Sequence, residues 1–325
     1  MSLAVSAVAP YSGTETYTRA SGTSKFIPEV WSGKMQVKFY QATCLSEVTN
    51  NDWEGEIKDT GDIVNIRSVP DITISAYTKG MTLVSQLPTS TAITLTIDKG
   101  KYFQVVVDDV DKVQADVRLM DIFSDDAGEK MKISIEVDVF ANAGLASGVN
   151  AGLTAGVITS SVNLGITATP CFCAAAKVAA GDGALAGSAK SVVDHIIDMG
   201  QVLDEQNVPE SGRWMLLPSM AANRLKKGDI KQVNVTGDDV SPIRNGKLGM
   251  IDRFTLYVTN NLPFASSKHT ILAGTRDSIS FASQLTKVES MRSTATFGDI
   301  MRGLNVYGYQ VTAPKSLVVS VIQLV

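Results

Sequence analysis

Apolar and polar residues alternate most regularly in two stretches of the chain. Ile72, Ile74 and Ala76 alternate with Asp71, Thr73, Ser75 and Tyr77, and later Ile93, Leu95 and Ile97 alternate with Ala92, Thr94 and Thr96. Successive side chains of an extended chain point to opposite faces, so period two predicts strands with one buried and one solvated face. Lys79-Gly80 and Leu87-Pro88 fall between the two runs and predict a turn region. Two arms of roughly 15 residues would reach about 50 Å at ~3.3 Å per residue. An isolated two-stranded ribbon is marginally stable in water, because one face has nothing to pack against. The segment that follows does not read as a further strand of the same type. The apolar positions Ile72, Ile74, Tyr77, Met81, Leu83, Leu87, Ile93, Leu95 and Ile97 are therefore expected to be covered by another molecule.

Behind this ribbon the period changes. Val110, Val113, Val117 and Met120 recur at helical spacing, and Asp108 or Asp109 supplies an N-cap with an acidic first turn. Asp108/Lys112 and Asp126/Lys130 are i,i+4 pairs with the acid first, the favourable order. Such a helix runs to about Asn142 and spans roughly 50 Å at ~1.5 Å per residue. Ile133, Ile135, Val137 and Val139 nevertheless alternate with Ser134, Glu136 and Asp138, which reads as a strand, so 132–140 is open between the two.

Elsewhere, Pro28 can open a helix carrying Val30, Met35, Val37, Phe39, Cys44, Leu45 and Val48. Residues 1–25 lack periodicity and read as a mobile arm; no basic region precedes an apolar run, as a signal peptide would require. A Gly/Ala/Ser/Thr-rich join covers 143–187. Ser188 or Ser191 then caps a helix with Val192, Ile196, Met199 and Leu203 on one face. Arg213 to Leu217 is a buried strand, Pro218 starts a short helix, and strands are expected at 254–258, 278–282 and 316–324, with turns at Asn260-Asn261 and Gly308. The mixture is α+β with long excursions, without an internal repeat.

Composition narrows the function. The 325 residues are 44% hydrophobic and 19% charged, an ordinary globular balance. No run approaches the ~18 apolar residues of a membrane span, so no membrane partner is expected. The net charge is −4, and the densest basic spot is Arg224, Lys226 and Lys227. That trio reads as a solvated helix end, so nearby DNA would be contained rather than read. Cys44, Cys171 and Cys173 read as buried thiols in a reducing compartment. With His195 and His269 the only histidines, a Cys/His zinc site is not expected, and no cofactor is. Asp108, Asp109 and Asp111 lack a calcium-loop pattern and are explained by capping. Gly181 to Gly187 lacks the lead-in strand and the Lys-Ser/Thr of a phosphate loop. No G-x-S-x-G occurs, and neither histidine sits in a triad context. The sequon at Asn234 means nothing without a secretory signal. No enzymatic chemistry emerges.

Several segments, in order, resemble one family: tailed-bacteriophage major capsid proteins of the Hong Kong 97-like fold, in the branch of podovirus-like coat proteins. Phe26-Ile27-Pro28-Glu29-Val30-Trp31-Ser32 resembles its N-terminal motif, and Gly61-Asp62-Ile63-Val64-Asn65-Ile66 the start of its extended loop. Leu95-Thr96-Ile97-Asp98, Lys101-Tyr102-Phe103 and Val107 to Gln114 resemble the return strand running into the long spine helix. Gly249 to Phe254, Tyr257 to Pro263, Phe297-Gly298-Asp299, Gly303-Leu304, Tyr307-Gly308 and Ala313-Pro314 resemble later family segments. The alternation at 133–139 departs from the helix that the family implies there.

The resemblance implies an N-terminal arm and helix at 1–60 and an extended β-hairpin loop at 61–107. It implies a peripheral domain from 108–175 and 265–325, including the spine helix with Val110, Val113, Val117 and Met120, and an axial domain at 176–264. It implies a homo-oligomer of pentamers and hexamers enclosing DNA without reading its sequence, with scaffolding, portal and decoration proteins as further partners. Assembly in the host bacterial cytoplasm and residence in the virion follow. An encapsulin-like compartment and a monomeric α+β enzyme are the alternatives. Lys79, near the ribbon tip, is a conceivable cross-linking residue.

Overall fold

The computed structural model describes residues 38, 40–41, 43–53, 63–109, 119–146, 150–158, 162–174, 189–228, 249–294 and 296–324. The motif at 26–32, Lys112, Val110, Val113, Val117, the glycine loop at 181–187 and Asn234 lie outside these residues. Helices are α1 (Leu45–Val48), α2 (Leu119–Ala146), α3 (Val192–Glu205) and α4 (Ser219–Lys227). Strands are β1 (Ile63–Arg67), β2 (Ala92–Thr96), β3 (Lys99–Asp108), β4 (Asn150–Ala151), β5 (Cys171–Ala174), β6 (Lys190–Ser191), β7 (Arg213–Leu217), β8 (Met250–Ile251), β9 (Phe254–Val258), β10 (Phe264–Ala265), β11 (Lys268–Thr275), β12 (Ile279–Arg292), β13 (Gly298–Val311) and β14 (Leu317–Leu324).

A nine-stranded mixed sheet runs β6-β5-β14-β11-β7-β9-β8, with β10 and β4 attached to β11 and β14. Its central strands are continuous apolar runs, as strands covered on both faces must be. Met215, Leu217, Ile271, Ala273, Val318 and Ile322 face one way and join Ile196, Met199 and Leu203 of α3 and Leu225 of α4. Trp214, Leu216, Leu272, Leu317 and Val319 face the other way and join Ile135, Val139 and Phe140 of α2. The Ser191 side chain caps α3 by accepting from Asp194 N at 3.0 Å, as its position predicts.

A second, three-stranded antiparallel sheet is ordered β12-β13-β3. Gly308, expected at a turn, lies inside β13 opposite Ala282. A Cβ there would collide with Thr96 O and with Ile97, so the bare glycine lets the base of the ribbon cross the sheet.

The open segment 132–140 is helix. Ile135, Glu136, Val139 and Phe140 are buried while Val137 is 41% exposed. Burial thus follows 3.6 residues per turn rather than two, because the apolar alternation includes positions the helix turns toward solvent. The sheets draw together strands from distant parts of the chain. β11 and β14 sit in the middle of the sheet that also holds β5, β7 and β9. β12, β13 and β3 form a separate sheet.

Candidate assembly surfaces

The ribbon starts as a regular antiparallel ladder, Ile63↔Thr96 to Arg67↔Ala92. Leu95 and Ile97 are buried with Ala282, and Trp53, Val64, Ile66 and Val306 pack around them. Ile93 is half-buried. Leu95 and Ile97 are therefore occupied within their own chain and offer a neighbour nothing, a correction to their assignment as contact residues. The cover of the ribbon base comes from its own chain, by packing against β12 and β13 rather than by a further strand pairing.

Beyond Ser68 and Thr91 the ladder stops, although the two arms keep its register. Among the described residues, the remaining backbone hydrogen bonds of the ribbon are Ser68 N to Thr91 O at 3.0 Å and Met81 N to Thr78 O at 3.1 Å. Pro70 and Pro88 remove donors from the two arms, so side chains substitute. Gln86 donates from Nε2 to Thr73 O at 2.6 Å and accepts from Thr73 N at 3.1 Å. The tip is a tight turn with Gly80 at φ 88°, the conformation its third position requires.

The half-buried strand expected at 71–77 is thus an open arm exposed on both faces, while the second expected run forms β2. Val69 is 92%, Ile74 95% and Leu87 91% exposed. Ile72, Tyr77, Met81, Leu83 and Val84 are exposed beside them. Val69 and Val84 lie outside the alternating runs, and their signal was hydrophobicity without a covering partner. Such a concentration of exposed apolar side chains marks an interaction surface.

The three-stranded sheet contributes a second open face. Tyr102 and Val106 of β3, Met291 of β12 and Leu304 of β13 are exposed on it. Arg302 bridges to Glu289 at 2.7 Å, and Lys287 pairs with the same carboxylate. These two cations hold the Glu289 carboxyl below its usual range, Lys287 first. Phe297, in the turn between β12 and β13, is also exposed. At this end Arg292 forks onto Asp109 and reaches Asp299 at 3.2 Å. The pairing, with Asp109 N donating to Phe297 O at 3.0 Å, ties the end of β3 to the turn between β12 and β13.

One buried carboxylate joins α1, α2 and the turn after β9. Glu136 of α2 accepts from Cys44 N at 2.7 Å and Leu45 N at 3.0 Å, satisfying backbone donors at the start of α1. It also accepts from Asn261 Nδ2 at 2.8 Å. Burial, then the Glu136 charge, pushes the Cys44 thiol up to about 12, so this cysteine stays protonated. Glu136 was missed in the sequence because the alternating run hid a helical face. Met120 is half-buried at the start of the described part of α2. Asp126 and Lys130 form the expected i,i+4 pair at 3.1 Å.

Contrary to the sequence reading, which left the thiols apart from the histidines, Cys171, Cys173 and His195 come together. Their ligating atoms lie within 4.8 Å of one another, and all three residues are buried. His269, the other histidine, instead faces the Phe264 ring at 4.5 Å.

A folded body carrying an uncovered apolar ribbon and an open sheet face is the form of a subunit completed by its neighbours, a shell-building protein. The sequence model of the family described as phage capsid protein matches residues 90–320, and the chain belongs to that family. No curated protein matches it. Solved structures share the fold. One from Mycobacterium phage Che8 has a TM-score of 0.73 at 23% identity, covering 93% of this chain and 98% of that one. The capsid of cyanophage P-SCSP1u gives 0.66 at 15%, covering 94% and 95%. The mature capsid of bacteriophage PhiM1 gives 0.65 at 12%, covering 98% of each. The chain is a major capsid protein with the Hong Kong 97-like fold, a virion component that assembles in many copies.

Proposed function

We propose that the subunits gather into pentamers and hexamers that close around genomic DNA, with each ribbon laid across an adjacent subunit. The observation that carries this reading is the ribbon from Val69 to Ser90, rich in exposed apolar side chains and without a backbone ladder. Docking would supply the missing cover and fix a conformation that the proline-interrupted arms do not fix alone. Closed symmetry makes each contact reinforce the rest, so individual interfaces can be modest. The segment 176–264, expected as the axial domain, would sit around the ring axes, with α2 and the three-stranded sheet outside it. The net charge of −4 supports containment of DNA without tight phosphate binding. The role is structural, without an enzymatic step, and assembly would take place in the host bacterial cytoplasm. Scaffolding, portal and decoration proteins are the further partners of this reading. An encapsulin-like compartment is disfavoured by the phage capsid family match.

The test replaces Val69–Ser90 with a short turn, sparing β1 and β2. The expected product melts cooperatively and sediments as subunits or single rings, with no shells in electron micrographs. Normal shells from this variant would overturn the role given to the ribbon.

A further inference from the structure

The buried cluster between β5 and α3 is not used by any assembly surface. Cys171 and Cys173 alternate on β5 and so point to the same side of the sheet, toward the layer in which His195 is packed. Ser320 Oγ donates its single hydrogen to Leu164 O at 2.8 Å. The 2.7 Å contact between Ser320 Oγ and His195 Nε2 must then take its hydrogen from the imidazole. His195 is thereby fixed with Nε2 protonated and a lone pair on Nδ1. That Nδ1 is buried and has no hydrogen-bond partner, while the residue itself is 0% exposed. A buried acceptor of this kind is costly unless something occupies it.

We propose that Cys171, Cys173 and His195 form a binding site for one zinc ion, held by the two thiolates and by Nδ1. Two thiolates and a neutral imidazole exactly balance a divalent cation, so the filled site carries no net charge into the core. Tetrahedral zinc with Zn–S near ~2.3 Å holds its sulfurs about 3.7 Å apart. The present spacing, within 4.8 Å, closes to that by side-chain rotation. Ser320 stands where metal-bound histidines find the partner that fixes their tautomer and orientation. Lys190, opposite Cys173 on β6 and bonded to Asp198 at 2.6 Å, adds a positive charge beside the thiols. Three protein ligands leave the fourth position to water. The ion would fasten β5 to α3 across the core and so stabilise the subunit by linkage.

The full-length chain, purified reduced and metal-free, is titrated with Co²⁺ as an optical probe and then with Zn²⁺. One equivalent of cobalt should give a thiolate-to-cobalt band in the near ultraviolet and tetrahedral d–d bands in the red, all erased by zinc. C173S and H195Q should lose these bands and the zinc-induced rise in melting temperature, while C44S should keep both. Circular dichroism confirms that each variant is folded. Absence of cobalt bands in the wild-type chain, their survival in C171S and C173S, or a Cys171–Cys173 disulfide recovered in place of two thiols would overturn the site. Binding of Cu⁺ without Co²⁺ or Zn²⁺ would overturn its assignment to zinc.

Discussion

Asn261 donates from Nδ2 to Glu136 Oε1 at 2.8 Å, tying the turn after β9 to the middle of α2. Because the same carboxylate also accepts from Cys44 N and Leu45 N, one side chain joins three separate parts of the chain. Glu136 is fully buried, and its removal strands several donors in a place water does not reach. Glu136→Ala should cost about 3 kcal/mol or more, since each buried unsatisfied group costs roughly 1–3 kcal/mol. Glu136→Gln, which keeps one acceptor, should cost less. Urea denaturation of the isolated subunit measures both, and a loss under about 1 kcal/mol for the alanine variant would refute this role.

Ile74 is almost fully exposed in the subunit, so Ile74→Asp should change its stability by no more than about 0.5 kcal/mol. Shell yield should nevertheless fall sharply, because the charge would have to be buried against a neighbour. Sedimentation separates shells from free subunits, and an unchanged yield argues against a buried partner at this position.

Gly308 gives Thr96 and Ile97 room to cross β13. Gly308→Val should displace the ribbon base and cost about 1–3 kcal/mol, as overpacking does. Gly80→Ala, where the added methyl meets nothing within 4 Å but φ is positive, should instead loosen only the tip. The pair of midpoints, compared in urea, distinguishes a crowded crossing from a general intolerance of side chains at glycine.

Asp126 binds Lys38 at 2.6 Å, Tyr40 at 2.8 Å and Lys130 at 3.1 Å. These contacts, Lys38 foremost, hold its carboxyl well below the usual range. A depressed folded pKa means that the stabilisation is complete above the unfolded value near ~3.9 and drains away as pH falls below it. The melting temperature of the wild-type subunit should therefore fall below about pH 4. Asp126→Asn should melt lower at neutral pH and show a shallower acid decline. Parallel curves for the two proteins would show that the cluster contributes nothing.

Much of the architecture was legible where local pattern and tertiary environment agree. Arg213 to Leu217 is too continuously apolar for anything but a covered strand, and it lies in the centre of the large sheet. Lys79-Gly80 turns the ribbon because Gly80 accepts a positive φ, and Ser191 caps α3 because its hydroxyl reaches a free N–H. Residues 132–140 were not legible, since Ile133, Ile135, Val137 and Val139 satisfy a strand pattern while the packing of Ile135, Val139 and Phe140 satisfies a helix. The Cys171–Cys173–His195 cluster was hidden too, because its members are brought together by a parallel strand pairing and a crossover helix rather than by spacing along the chain.

By itself the sequence determined which segments are extended, where the ribbon turns, and that its apolar side chains outnumber the covers available nearby. Those properties are local, set by side-chain period, glycine and proline. Only the tertiary structure decided that Leu95 and Ile97 belong to the subunit's own core while Ile74 and Leu87 do not. The same alternation serves both pairs, and what separates them is whether β13 passes underneath, a contact between residues some two hundred positions apart that no local pattern encodes.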